Sequence, residues 1–359
     1  MNKFSNKINL LKALAISVVV AGHLEFSLIP MFPPYSFQVP LFFFIAGMLF
    51  NPKYDFSEYF KKRVNSLLKP CFSYCAFYLI LTALIAPVVG KFYGMPVTLK
   101  NELLMPFLTG HQLDLIAPLW FVPCLFITLM FYKIFSLIKC PKYARLCFYF
   151  TLALSAICFQ KYAQNIDCLW IFRTMYTLFF VDLGYFYKTR VEGKLNIFSP
   201  RILSFVLIFQ SILWLTNKDF TPQDGIGLHF LLVWGQYGNP IVPILTCLTG
   251  IYISLFLIEI SFDKIKNWGF LQKIGQNTMH IMANHLLIFN IFTYSLLALT
   301  KTDFAIKNNA DVYWFYCPLK TTYFYFVFGM IITTYIGELL GRFGQNAFRH
   351  DKRPDEKKV

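Results

Sequence analysis

LLKALAISVVVAGHLEF, residues 10–26, is an apolar run of membrane-spanning length and indicates a membrane-embedded helical fold. It carries Lys12 near one end and His23 near the other. About 20 apolar residues cross a hydrocarbon core about 30 Å thick. An ionisable group within such a span costs free energy, and usually faces the bundle interior or a water-filled cavity with a functional role.

The composition agrees with a membrane protein. Of the 359 residues, 57% are hydrophobic and 14% are charged, whereas about a quarter are charged in soluble domains. No small-x-small cleavage site follows the first run and further runs come after it, so it is read as a retained helix. The nine cysteines contain no CxxC pair, and we expect no metal site.

The sequence predicts an all-α integral membrane protein, a bundle of about ten transmembrane helices with both termini cytoplasmic. The predicted spans lie near residues 8–29, 36–51, 70–90, 118–138, 146–161, 169–187, 200–216, 240–260, 276–299 and 319–340. With the N-terminus inside, 25 of the 33 Lys and Arg residues lie in inner segments, seven in outer segments and one within a span. Cytoplasmic loops are rich in these residues, so the alternation supports ten spans.

One domain accounts for most of the chain. Residues 1–341 are predicted to form the polytopic membrane domain, and the charged segment 342–359 is predicted to be a disordered cytoplasmic tail. Residues 55–69 form an amphipathic segment that we expect along the membrane surface. The net charge of +15 follows from the inner loops and requires no nucleic acid.

Lys12 and His23 are predicted to share one helix face. Eleven residues complete about three turns and advance about 16 Å. Lys12 then lies at the cytoplasmic edge, where it acts either as a snorkelling anchor or as a binding group. His23 lies deeper, as a functional group or as a hydrogen-bond partner of a neighbouring helix.

Other polar residues fall within or between the spans. His285 and Asn284 form a second candidate site or an interhelical hydrogen bond. Arg173 and Asp182, in the sixth span, contact an acceptor or pair with neighbouring helices. Glu25 is two residues from His23 and so lies on a different side of the helix, and no direct partnership between them is expected. His280 and His111 are not expected to be catalytic, although the loop around His111 could contact an acceptor.

Five motifs occur in a recognisable order. They are Lys12 with Gly22-His23, PLFFFIAGMLF (residues 40–50), KKRVNSLLKP (61–70), PLWFVPCLF (118–126) and IGQNTMHIMANHLLIF (274–289). In this order the chain resembles the integral-membrane acyltransferase-3 family, and within it the branch of fucose 4-O-acetylase-like proteins. Two positions depart from the family pattern, with Ser66 at a basic position and Ala46 at a serine position.

The resemblance implies a membrane O-acyltransferase. Such an enzyme moves an acetyl group from cytoplasmic acetyl-CoA to a hydroxyl of an extracytoplasmic sugar, here a surface polysaccharide or its lipid-linked precursor. Acetyl-CoA is then a substrate, and no bound cofactor is expected. A bacterial cytoplasmic (inner) membrane, crossed several times, is the expected location.

The resemblance also implies roles for individual residues. His23 and His285 are the catalytic candidates, with His23 as general base or as the carrier of an acyl group. The inner cations would hold the phosphates of CoA, namely Lys12, Lys61, Lys62, Arg63 and Lys69. Substrate contacts, including donors to the oxyanion, are assigned to Trp120, Arg173 and Asn284.

A different class of function is compatible with the same features. A proton-coupled transporter or glycan exporter would also contain His23 and His285 among polytopic helices. The ordered motifs, and the absence of similarity between the two halves of the chain, favour the enzyme. An enzyme whose acceptor is a small metabolite is a third possibility.

Overall fold

The structure is a computed structural model that describes residues 3–90, 92–110, 113–138, 140–159, 166–217, 228–239, 241–300 and 321–350. These residues contain no β-strand, and one isolated antiparallel bridge joins Leu231 to Gln236. The predicted all-α class is therefore confirmed for the described part of the chain.

The α-helices are α1 (Lys3–Gly22), α2 (Gln38–Met48), α3 (Phe56–Arg63), α4 (Lys69–Val89), α5 (Met105–Leu108), α6 (Phe121–Phe135), α7 (Lys142–Cys158), α8 (Ile166–Phe186), α9 (Pro200–Asn217), α10 (Val242–Ile265), α11 (Gly269–Gln276), α12 (Thr278–Thr300) and α13 (Thr322–His350). Each of the ten predicted spans overlaps one of them. Short 3₁₀ helices cover Asp114–Trp120 and Leu232–Trp234.

Six helical segments of the described chain are long and apolar enough to cross a membrane. They are Lys3–Gly22, Phe56–Val88, Asp114–Phe135, Pro200–Asn217, Val242–Ile265 and Thr322–Arg342. α2 and α7 have only 11 and 17 residues, and the charges of Arg173 and Asp182 lower the hydropathy of α8. The total of ten crossings and the cytoplasmic position of both termini stay predictions.

Two boundaries differ from the sequence prediction. The first span was predicted over residues 8–29, but α1 begins at Lys3 and ends at Gly22, because a turn with Glu25 in the left-handed region follows. At the other end, α13 continues to His350, beyond the boundary predicted at residue 341, and the disorder of the tail stays a prediction. No proline lies between Pro318 and Pro354, which allows the helix to continue.

The amphipathic segment is not separate from the third predicted span. A π-helical turn, Val64–Leu68, joins α3 to α4 in one continuous helix. The N–H of Lys69 bonds to the carbonyl of Val64, five residues earlier. Pro70 follows immediately and has no N–H to donate, and the widened turn accommodates it within the helix.

The core of the bundle is formed by α1, α2 and α8. α2 packs against α1, α8 and α10, while α8 also packs against α6 and α7. Two glycines allow the backbones of α2 and α8 to touch: a Cβ at Gly47 would overlap the carbonyl oxygen of Val181, and a Cβ at Gly184 would overlap that of Phe44. Small residues commonly permit such close approach between membrane helices.

We expect Gly184→Ala to lower the free energy of unfolding by about 1–3 kcal/mol, because the added methyl meets backbone atoms that cannot rotate away. Thermal denaturation of the detergent-purified protein measures the change. Gly269→Ala is the matched control, since open space surrounds the Cβ position of Gly269. Equal denaturation midpoints for the two variants would contradict the close packing of α2 and α8.

Candidate active site

A cavity of about 350 Å³ lies among the ends of several helices. Its walls come from the end of α1, the start of α2, the junction of the 3₁₀ helix with α6, and residues 230–234. Most of the wall is apolar and aromatic, and the polar side chains in it are His23, Tyr35, Ser36, Gln38, Trp120 and Trp234. A ligand site commonly has this volume and this sparse polar lining.

The end of α1 places His23 at the cavity. The N–H of Phe26 bonds to the carbonyl of Ala21, and the N–H of Glu25 bonds to that of Gly22. Glu25 has a φ of 55°. This is a Schellman turn with Glu25 at its left-handed position. His23 therefore occupies the last turn of the helix, with its side chain in the cavity wall.

The loop between α1 and α2 is held by contacts with distant parts of the chain. The carbonyl of Tyr35 accepts the N–H of Phe230 at 2.9 Å, and the carbonyl of Met31 accepts from Gln210 Nε2 at 2.8 Å. Tyr35 has a φ of 58°, a conformation that non-glycine residues seldom adopt. These contacts hold the Tyr35 side chain beside His23.

His23 contacts both Tyr35 and His285. Its Nδ1 lies 3.4 Å from the hydroxyl oxygen of Tyr35. The centroids of the His23 and His285 rings are 5.1 Å apart, with 45° between the ring planes. The structure thus brings together the two predicted catalytic residues, which are 262 positions apart in the chain.

His285 lies behind His23, without lining the cavity. It is completely buried, and its Nδ1 is 2.9 Å from the carbonyl oxygen of Ile281. A carbonyl only accepts, so Nδ1 carries the proton. Nε2 is then an acceptor, and it has no hydrogen-bond partner among the described residues.

Arg173 organises the cavity wall from outside it. Its guanidinium donates to the backbone carbonyls of Leu232 at 3.3 Å, of Thr109 at 2.9 Å and of Val233. It also lies over the ring of Trp120, 5.0 Å from the centroid. Arg173 is only 1% exposed, so it fixes the wall segment at residues 232–233, the segment at Thr109 outside the wall, and Trp120, rather than reaching into the cavity.

Asn284 lies in a different network, between α12 and α4. Its Oδ1 accepts from Tyr78 OH at 3.0 Å. Its Nδ2 donates to Tyr74 OH at 3.1 Å and to the carbonyl of His280 at 2.7 Å. Tyr74 OH also lies 2.6 Å from His280 Nδ1. These contacts occupy both N–H groups of Asn284, and the side chain does not line the cavity.

The predicted CoA-binding cations do not line this cavity. Lys12 is half-buried in α1, and no described residue forms a hydrogen bond or ion pair with it. Lys62 is exposed and donates to Tyr54 OH at 2.7 Å. Arg63 lies 4.9 Å from the centroid of the Tyr59 ring, and Lys69 is exposed.

The remaining polar candidates have other positions. Asp182 is buried, accepting from Tyr132 OH at 2.7 Å and pairing with Arg145 Nε at 2.7 Å. The structure therefore pairs Asp182 with neighbouring helices. Glu25 is exposed in the turn after α1, and His111 lies outside the described residues.

Sequence reasoning missed Tyr35, Gln38 and the segment 230–234. Tyr35 follows two prolines in a connecting segment, where no periodicity identifies it. Gln38 lies two residues before the PLFFFIAGMLF motif, and that position was the one available signal. Residues 230–234 lie about 200 positions from His23, so only the tertiary fold places them in the same cavity.

The fold and this site define a multi-pass helical membrane protein with a histidine in a recessed cavity. The chain belongs to the acyltransferase-3 family, since a family model described as an acyltransferase domain matches residues 5–341. No curated protein and no solved structure matches the chain significantly. The family identifies the protein as a membrane acyltransferase.

We expect Arg173→Lys to lower the free energy of unfolding by at least about 2 kcal/mol, because an ammonium cannot reproduce the planar set of hydrogen bonds to three carbonyls. Hydrogen exchange measured by mass spectrometry should become faster in residues 228–239. Arg201→Lys is the matched control at an exposed position. Unchanged exchange in that segment would show that Arg173 does not hold the wall.

Proposed function

We propose that this protein is an O-acetyltransferase, which moves an acetyl group from cytoplasmic acetyl-CoA to a hydroxyl of an extracytoplasmic sugar. The proposed acceptor is a surface polysaccharide or its lipid-linked precursor. One observation carries the proposal: an imidazole in the wall of a cavity of ligand size has a second imidazole directly behind it. The family supplies the acyltransferase class.

His23 is the proposed general base. When its Nδ1–H donates to the Tyr35 oxygen, Nε2 carries the lone pair, and no described residue occupies that atom. Nε2 removes the proton of the acceptor hydroxyl, and the oxygen attacks the thioester carbon. An imidazole suits this role because its protonation changes near working pH. An acyl-histidine intermediate is the alternative route.

His285 is a positioning residue in this proposal, since it does not line the cavity. Its Nδ1–H is bonded to Ile281, which directs the unpartnered Nε2 away from the backbone of α12. The centroids of the two rings lie 5.1 Å apart, so His285 restricts where the His23 ring can lie. A proton on both rings at once would be opposed by like-charge repulsion.

The aromatic lining favours a sugar acceptor. Trp120 and Trp234 present large flat apolar surfaces, each with one N–H donor. A sugar ring has apolar C–H faces and polar hydroxyls around its edge, so it complements such a wall. A small hydroxylated metabolite would complement the same wall. Assays of acetyl transfer with each kind of acceptor distinguish the two.

The donor is proposed to bind from the cytoplasmic side, with its phosphates held by Lys12 and by the basic segment 61–69. The absence of a partner for Lys12 among the described residues supports this role, because a half-buried ammonium gains from an anionic ligand. The proposed location is the bacterial inner membrane, and the fucose 4-O-acetylase-like branch stays a prediction.

We expect His23→Ala to reduce turnover at least about 100-fold, because general-base catalysis contributes roughly that factor or more. The assay measures CoA release by purified protein supplied with acetyl-CoA and a total cell-envelope glycan extract. His280→Asn is the matched control, because asparagine retains a hydrogen-bonding atom for Tyr74 and the residue lies outside the cavity. Wild-type turnover in His23→Ala would exclude His23 as the base.

We expect CoA to raise the thermal denaturation midpoint of the wild type, as any ligand that binds only the folded state does. Lys12→Gln should need at least about tenfold more CoA for the same shift, because it lacks the charge that contacts the phosphates. Lys53→Gln, at an exposed position outside the proposed donor site, should behave as wild type. If CoA leaves the denaturation midpoint of the wild type unchanged, the result would instead fit the transporter alternative.

A further inference from the structure

We infer that Gln38 donates a hydrogen bond from Nε2 to the oxygen of the thioester carbonyl as negative charge develops on it. This inference rests on the proposed acetyl transfer and adds a catalytic residue to it. Gln38 is the first residue of α2, is 2% exposed and lines the cavity that contains His23.

The orientation of the Gln38 amide follows from its contact with the backbone. The N–H of Ser36 lies 2.9 Å from Oε1. Because an N–H only donates, the atom that it meets must be the amide oxygen. The NH₂ group is then directed to the other side, and no described residue accepts a hydrogen bond from it.

The free NH₂ group lies close to the base. Gln38 Nε2 is 3.4 Å from the position that a Cβ on Gly22 would occupy, and Gly22 directly precedes His23. An amide N–H in a cavity wall that has no acceptor among the described residues can donate to a ligand atom in the cavity. The arrangement thus places a fixed donor and a base in the wall of the same cavity.

Of the three residues predicted from the sequence to donate to the oxyanion, two have N–H groups that are already bonded elsewhere. The two N–H groups of Asn284 donate to Tyr74 and to the His280 carbonyl. Arg173 donates to three backbone carbonyls and does not line the cavity. Trp120 does line it, and its indole N–H is compatible with a second hydrogen bond to the same oxygen.

In the step that Gln38 assists, the acceptor, acetyl-CoA and His23 account for every bond and for the proton. The acceptor oxygen forms a bond to the thioester carbon, while its proton passes to His23 Nε2. The carbonyl oxygen carries negative charge in the tetrahedral intermediate, and Gln38 stabilises it there. The C–S bond then breaks, the carbonyl re-forms, and His23 returns the proton to the departing sulfur of CoA.

Two variants separate this role from a structural one. Gln38→Glu keeps an oxygen that accepts from Ser36 N–H and removes the N–H donors, whereas Gln38→Met removes both functions without adding charge. We expect both to lower kcat about 100-fold or more with KM for acetyl-CoA within about twofold, as for the loss of an oxyanion donor. Gln276→Glu, an exposed position outside the cavity, controls for the added charge.

The readouts are CoA release with the glycan extract and the denaturation midpoint with and without CoA. If Gln38 only supports the start of α2, Gln38→Glu retains wild-type kcat, and that result overturns the inference. Wild-type kcat in Gln38→Met, or a raised KM with unchanged kcat in either variant, also overturns it. If the wild type releases no CoA in the assay and CoA does not shift its denaturation midpoint, those results would instead contradict the proposed function itself.

Discussion

The guanidinium of Arg173 makes the interaction on which the cavity depends. Its hydrogen bonds hold the carbonyls of Thr109, Leu232 and Val233, which belong to segments more than 100 residues apart. Irregular backbone within a membrane protein needs internal partners, since lipid supplies none. One buried cation on α8 therefore satisfies the carbonyls of both segments and supports Trp120 from behind.

The end of α1 positions His23 in the cavity wall that Arg173 helps to hold. A helix that continued to residue 29 would carry His23 in mid-helix, with regular backbone on both sides. The turn at Glu25 instead ends the helix at Gly22, directly before the histidine, and the following loop brings Tyr35 and Gln38 to the same cavity. His23, Tyr35 and Gln38 thus come from one short stretch of chain, 23–38, whereas His285 comes from α12.

Hydropathy and length predicted where the helices lie, because those properties are local to each segment. The choice of His23 and His285 as catalytic candidates rested on resemblance, and their contact with each other was visible only in the tertiary fold. Arg173 was identified as unusual because a charge in a span is costly, yet its partners are backbone atoms that carry no sequence signal. The early end of α1 was missed, since Glu25 occupies a left-handed position that is usually glycine.

The short α2 has a consequence for how two substrates meet. Its 11 residues span about 16 Å, roughly half of a hydrocarbon core. With the predicted orientation, the cavity at its N-terminal end is recessed from the outer side, and His23 is about 16 Å along α1 from Lys12. In the proposed reaction the donor covers that distance from the cytoplasm while the acceptor enters the recess. Acetyl transfer then occurs within the bundle, and neither whole substrate has to cross the bilayer.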